Sequence, residues 1–352
     1  MLRGAAILTP GNVRFMNSAN PRISVIVPVY NGSGTLDQCL SALVASTFQD
    51  FEIIVVDDGS VDDSAAIAKH FAMRLMSLEN NSGPAAARNA GAGVSSAPLL
   101  FFLDADILVP PSLLENAMNA FDDRPEFSAL FCSFGKETVP PDTCSRHKNL
   151  VHHWAHQTAS AEAVTFCGGF GLIRRTAFLA IGGFDSGQRF LEDIDLGYRL
   201  HRAGHRIYLA KDIQATHAKV YTPASFLRSD LFGRAVPWTR LMLKYRIFRS
   251  DLNTRGHNVL SVLAACLLPF SAALDPHFRL TAGLLLFFLW LNRDLLRLGA
   301  REYGAAFAAR SAFLCWLSYV ASAVGVCLGI GSWLWESCFG NGAKVLAPSG
   351  SS

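Results

Sequence analysis

Charge is scarce in this sequence. Asp, Glu, Lys and Arg supply 17% of its 352 residues against 51% hydrophobic residues, where soluble globular domains carry about 25% charge. The net charge of +3 is small, and no run of Lys and Arg interleaved with aromatics occurs, which excludes the electrostatic footprint of a nucleic-acid-binding protein. C-x-x-C spacing is missing from the cysteines at 39, 132, 144, 167, 266, 315, 327 and 338. Redox-motif chemistry is thereby excluded and a reducing compartment expected. The apolar stretch before Pro10 is too short for a signal-peptide core, so the first domain is expected to stay in the cytosol. No repeat of solenoid length is visible.

What is present is an alternation of apolar runs and amphipathic segments. After a loose leader over 1–21, Ile23–Val29 is a β-branched run ending at Tyr30-Asn-Gly-Ser-Gly34. A helix to about Ser46, a strand Phe51–Val56, a helix over 62–72, a strand near 74–78, a helix over 84–94 and a strand Leu99–Leu103 follow. This order predicts an α/β domain with a mostly parallel sheet, which binds ligands beyond the carboxyl ends of its strands. Asp57-Asp58 ends one strand and Asp104-Ala105-Asp106 another, so four carboxylates are expected along one rim. Residues 107–220 mix helices with short strands at Ala129–Phe134, Ala163–Phe166 and Ile207–Leu209.

The apolar excess lies after about residue 257. Residues 225–250 set Phe226, Leu227, Phe232, Trp238, Leu241, Met242, Tyr245 and Phe248 against Arg228, Arg234, Arg240, Lys244, Arg246 and Arg249, the pattern of a helix lying at a membrane surface. Three apolar segments follow: Val259–Leu274, Leu280–Leu291 with an extension to Leu298, and Ser311–Trp335, the last with 25 residues and no charge. By length only the third spans a bilayer unaided, and the first two form short spans or a re-entrant hairpin. Arg293, Arg297, Arg301 and Arg310 separate the second from the third, so the positive-inside rule puts the catalytic domain in the cytosol and the C-terminus outside. The chain is thus expected in a cell (inner or plasma) membrane as a multi-pass protein.

Two carboxylates one residue apart at a strand end, as in Asp104-Ala105-Asp106, can grip one divalent cation, Mg2+ or Mn2+, which in turn binds a diphosphate. Alone, the same pair serves equally well to cap a turn. Val25-Ile-Val-Pro-Val-Tyr-Asn-Gly32, Val55-Val-Asp-Asp-Gly-Ser60 and Gly83-Pro-Ala-Ala-Ala-Arg-Asn-Ala-Gly91 precede it in order. Together the four segments resemble the donor half of the family-2 glycosyltransferases, which have the GT-A fold, a Rossmann-like mostly parallel sheet. The resemblance implies nucleotide contacts at Pro28, Tyr30, Asp57 and Asp58, with the split between the two Asp residues open. It further implies that Arg88 helps hold the nucleotide part of the donor, and that Asp104 and Asp106 contact ribose and metal.

In the second half, Gly168-Gly-Phe170 and Gly182-Gly-Phe-Asp185 match glycine-rich turns bordering the family's sugar and acceptor pocket, where a missing side chain lets backbone approach a ligand. Leu191-Glu-Asp-Ile-Asp195 opens a helix. The resemblance makes Asp193 the base that deprotonates the acceptor hydroxyl and Glu192 its support; without it, two acids at a helix start are read as stabilising the helix dipole. His217 falls where many relatives place a third metal ligand. Among His152, His153 and His156, the pair 152/156 or 153/156 can share a helix face, but no carboxylate or Cys nearby completes a set, so packing is preferred over zinc. The Q-x-x-R-W signature of processive synthases is absent, favouring single-sugar transfer.

These readings divide the chain into a leader (1–21), a nucleotide-sugar-binding half (22–110), an acceptor and catalytic half (111–222), an amphipathic interfacial segment (223–257), a membrane region of two or three helices (258–336) and a tail (337–352). The expected function is metal-dependent, inverting transfer from a nucleotide-sugar donor to an acceptor hydroxyl, with a membrane lipid or lipid-linked glycan compatible as acceptor. The alternative is an inactive membrane-bound nucleotide-sugar-binding or scaffold protein of the same fold. A nucleotidyltransferase is disfavoured because no glycine- and basic-rich phosphate loop follows the first strand.

Overall fold

The computed structural model describes residues 20–71, 73–248 and 256–339. Most of the leader, Arg249 and nearly all of the tail lie outside the described residues. The chain divides into two compact units after Val220.

In the first unit, β1 (Ile23–Val29) is buried along its length, as its β-branched run requires. Helix α1 (Ser33–Val44) buries Leu36, Cys39, Leu40 and Leu43, the i, i+3, i+4, i+7 stripe of an amphipathic helix. β2 (Phe51–Asp57), α2 (Ser64–His70), β3 (Arg74–Ser77), α3 (Pro84–Val94) and β4 (Leu99–Leu103) continue the alternation. Gly91 lets α3 settle on the sheet, since a Cβ there would lie 3.1 Å from Val56 Cγ2 and closer still to Ile26.

The chain then runs through β5 (Ile107–Leu108), α4 (Leu113–Asp122), β6 (Ala129–Thr138), α5 (Thr143–Thr158), β7 (Glu162–Ala163), β8 (Phe170–Arg174), α6 (Arg175–Ala180), α7 (Glu192–Arg202) and β9 (Ile207–His217). The described strands form one sheet in the order β3-β2-β1-β4-β8-β6-β9-β5, with β7 on β9. It is parallel from β3 through β4 and mixed beyond, where β8 runs antiparallel to both β4 and β6. β8 was not expected: Phe170 follows two glycines and opens a five-residue strand ending at Arg174, too short for periodicity to separate strand from turn. The strand expected over Ala163–Phe166 pairs only through Glu162–Ala163. The one expected over Ile207–Leu209 continues to His217, so that histidine ends a strand rather than following one.

Helix α5 carries the three clustered histidines. His153 Nδ1 lies 2.7 Å from the Phe134 carbonyl oxygen, and His156 packs on the rings of Phe131 and Phe134. Burial pushes His156 down to about 4, so it stays neutral. No group of three or more His, Cys, Asp and Glu arranged for a metal occurs among the described residues.

The second unit contains helices α8 (Pro223–Arg228), α9 (Val236–Tyr245), α10 (Gly256–Leu274), α11 (Arg279–Leu291), α12 (Arg293–Tyr303) and α13 (Ala305–Phe339), with a π-helical turn at Ser229–Ala235. The continuous helix expected over 225–250 is therefore interrupted, and it stops where Arg246 turns left-handed at φ 54°. Its apolar positions Phe226, Trp238 and Leu241 are buried. α13 approaches this segment through Gly329, where a Cβ would stand 2.8 Å from Thr239 Cβ. Among the described residues, two helices are long and apolar enough to cross a membrane, Gly256–Leu274 and Ala305–Cys338. α10 reaches that length because it starts three residues before the apolar run, while α11, at 13 residues, is about 20 Å long.

Candidate active site

The strand ends of the first unit enclose a cleft of ≈ 640 Å³. Pro28 and Tyr30, at the end of β1, line it. The acids that follow β2 have different surroundings. Asp57 turns into its own loop, where Oδ1 accepts from the Ser60 amide at 3.0 Å. Asp58 lines the cleft, and its oxygens accept from the amides of Ser82 at 2.9 Å and Gly83 at 2.8 Å, at the entry to α3.

Asp104 and Asp106, after β4, are held by backbone on two sides. The Asp104 amide donates to Gly169 O and the Ala218 amide to Asp106 O, both at 2.8 Å. Gly169 has to lack a side chain, since a Cβ there would sit 2.9 Å from the Asp104 carboxyl carbon. β5 pairs Ile107 with His217 at the end of β9, which brings His217 Nε2 to 3.7 Å from Asp106 Oδ1. The imidazole rests on Phe134, ring centroids 5.0 Å apart. Burial pulls its pKa down despite the nearby Asp106 charge, favouring the neutral form that can ligate a metal.

Arg88 points from α3 into the floor of the cleft. Its Nη1 pairs with Glu192 Oε1 and its Nη2 with Asp104 Oδ1, each at 2.6 Å, and the guanidinium lies 5.4 Å from the Phe184 ring centroid. Glu192 and Asp193 open α7 behind Leu191, which adopts a left-handed conformation at φ 58°. That turn separates the two acids. Glu192 lines the cleft; Asp193 faces Gly168, whose amide donates to Oδ2 at 3.1 Å, and Oδ1 accepts from the Ile194 amide at 2.8 Å. Burial, and next the charge of Glu192, raise Asp193 to about 7, placing a carboxylate near the range suited to a general base.

The sequence motifs did not reveal several neighbours. Asn89 clamps the Gly182-Gly183 turn, donating to Phe184 O at 2.8 Å and accepting from the Phe184 amide at 2.9 Å. Arg189, Phe190, Lys219 and Val220 line the far wall. The signal for Asn89 lay in its place beside Arg88; the others lie in loops without a local pattern.

An α/β sheet with a ligand-sized acidic cleft at its strand ends, a buried arginine and a paired acid at a helix start defines a class of nucleotide-binding catalytic domains. Residues 24–182 match the family model of glycosyl transferase family 2. The first unit is therefore a family-2 glycosyltransferase domain. A validoxylamine A glucosyltransferase of Streptomyces hygroscopicus subsp. jinggangensis is 30% identical over 267 residues, 62% of this chain and 61% of the relative. The glycosyltransferase AglE of Haloferax volcanii is 37% identical over 111 residues, 30% of this chain and 36% of the relative. The chain thus spans less than two thirds of the length of either. Among solved structures, a mannosyltransferase from Pyrobaculum calidifontis in complex with GDP-Man and Mn2+ is 20% identical, covering 92% of this chain and 89% of that one with a TM-score of 0.49.

Proposed function

We propose that the chain moves one sugar from a nucleotide-sugar to an acceptor hydroxyl, with inversion at the anomeric carbon. The observation that carries this reading is the convergence of Asp104, Asp106, Arg88 and Glu192 on one cleft within a family-2 domain. Tyr30, Pro28 and Asp58 are suited to the nucleoside, and Asp57 supports them by closing the loop behind Asp58. The acid pair opening α7 supplies the base: the family resemblance makes it Asp193, which lies against Gly168 beside Glu192, the member that lines the cleft, and one base on one face suffices for a single displacement.

A divalent cation, Mg2+ or Mn2+, is assigned on the family resemblance to Asp104, Asp106 and His217, which do not form a ready-made group of three ligands among the described residues. Asp106 and His217, whose side chains approach to 3.7 Å, would be among the residues that hold it. Asp104, whose side chain is 40% exposed, completes the residues that would hold it. When bound, such an ion neutralises charge on the departing diphosphate. The test is incubation of the purified chain with a panel of nucleotide-sugars and Mn2+ or Mg2+. Release of nucleoside diphosphate from one of them is expected, while binding without turnover across the panel would favour the inactive-binder alternative.

The second unit is assigned to a cell membrane, inner or plasma. α10 and α13 are long and apolar enough to cross it, and the arginines of α12 favour a cytosolic loop and a cytosolic catalytic unit. A membrane lipid or lipid-linked glycan is the acceptor class this fits. The chain should resist extraction by salt and by alkali. A reporter fused after Ser352 should report the outside and one at Met1 the cytosol; both on the same side would mean that α11 fails to cross.

A further inference from the structure

We propose that Arg88 is a positioning residue, holding Asp104 and Glu192 at once so that the acid pair opening α7 is fixed against the donor-side carboxylate. The inference rests on the reading of Asp193 as base and differs from the nucleotide contact that family resemblance implies for Arg88. Its side chain is 4% exposed, and both terminal nitrogens are committed at 2.6 Å to partners 16 and 104 residues away. The Nε N–H is buried without a hydrogen-bond partner, so the guanidinium is placed for these two carboxylates at the expense of that donor.

The surroundings leave it little freedom. Asn89, the next residue of α3, is bonded to both backbone groups of Phe184, and the Phe184 ring lies against the guanidinium. On the opposite side Gly169 admits the Asp104 carboxylate, and Gly168 touches Asp193. A lysine has one ammonium and cannot reach in two directions as a planar fork does.

The bridge has a consequence for Asp193. The charged and titratable groups around it are Glu192 on α7, Arg88 from α3, Cys167 from the turn before β8, and Asp104 from the end of β4, beyond the two glycines. Glu192 raises the proton affinity of Asp193 and Arg88 lowers it. With the pair closed, these influences oppose each other; with Glu192 freed of its partner, the balance shifts toward protonation.

The test is a carbon-13 NMR titration of the aspartate carboxyls in the full chain in detergent, with the Asp193 signal assigned by its loss in Asp193→Asn. Binding of UDP and of GDP with Mn2+ is measured alongside. Glu192→Gln should lower the Asp193 midpoint by about one pH unit, Glu192→Asp should bring it back, and Arg88→Lys should raise it. A folded Glu192→Gln protein with the wild-type midpoint would overturn the proposal, whether or not Arg88→Lys folds. So would Arg88→Lys that loses nucleotide affinity while the midpoint stays fixed. Should the shifts appear in a chain that cleaves no nucleotide-sugar, the transfer reading fails and the bridge stands.

Discussion

The two units distribute polarity in opposite ways. In the first, Val25, Ile53, Val55 and Phe101 are buried at the centre of the sheet, and charge collects at the strand ends. In the second, Leu263, Leu267, Phe270, Leu286, Phe313 and Trp335 are exposed, while Asp230, Ser261 and Asn292 are buried. Those buried groups have polar partners within the unit. Ser318 Oγ donates to Asp230 at 2.5 Å, Arg234 pairs with Asp230 at 3.0 Å, the Tyr319 hydroxyl donates to Asn292 at 2.9 Å, and Asn292 donates to Ser261 at 3.2 Å. Monomeric soluble domains rarely leave such apolar surface open. In lipid the hydrophobic effect no longer drives helices together, and polar contacts between them take on part of that task. The contrast supports the membrane assignment proposed for the second unit.

The largest expected effect tests the polar rim of the first unit. Asp106→Asn should abolish transfer and cation-dependent donor binding together, read by product formation and by calorimetry with Mn2+; wild-type turnover would remove Asp106 from the site. Asp193→Asn should slow transfer by about 10²–10⁴-fold with donor affinity unchanged, and a loss of donor binding instead of rate would break the base assignment.

In the second unit, Asp230→Ala strips a buried ion pair of one member and should cost about 3–5 kcal/mol in the unfolding of detergent-solubilised protein, with donor binding retained. A negligible loss would show that its polar interior is not what holds the helices. Next comes pH. A base raised to about 7 is protonated below that value, so kcat/KM should fall about tenfold per unit as pH drops through it and should lose this limb in Asp193→Asn. The smallest effect is Arg22→Ala. The Arg22–Asp122 pair is 50% exposed on both sides, so its removal should cost no more than about 1 kcal/mol by thermal melting, against the much larger loss at Asp230.

Much of the first unit was legible locally. β1 and β4 begin and end where their apolar runs do, because a run of β-branched or aromatic residues closed by a polar turn is a short-range signal. β8 and β5 were missed, since five residues containing Gly171, and two residues after Asp106, carry no period of their own; their pairing partners make them strands. In the second unit, length and hydropathy marked α13, but the π turn at Ser229–Ala235, which packs on α13, has no signature in its own residues.

By itself, the sequence determined the order of the elements and the residue types at the strand ends, because periodicity, run length and turn chemistry act within a few residues. Only the tertiary structure decided which member of each acid pair meets the cleft. Adjacent side chains leave a strand end or a helix start in different directions, so Asp58 and Glu192 face the cleft while Asp57 and Asp193 turn to backbone amides. It also decided the partners of Arg88. Asp104 and Glu192 lie 16 and 104 residues from it, and only the tertiary packing, with α3 seated on β1 and β2, brings the three charges within one hydrogen-bond length.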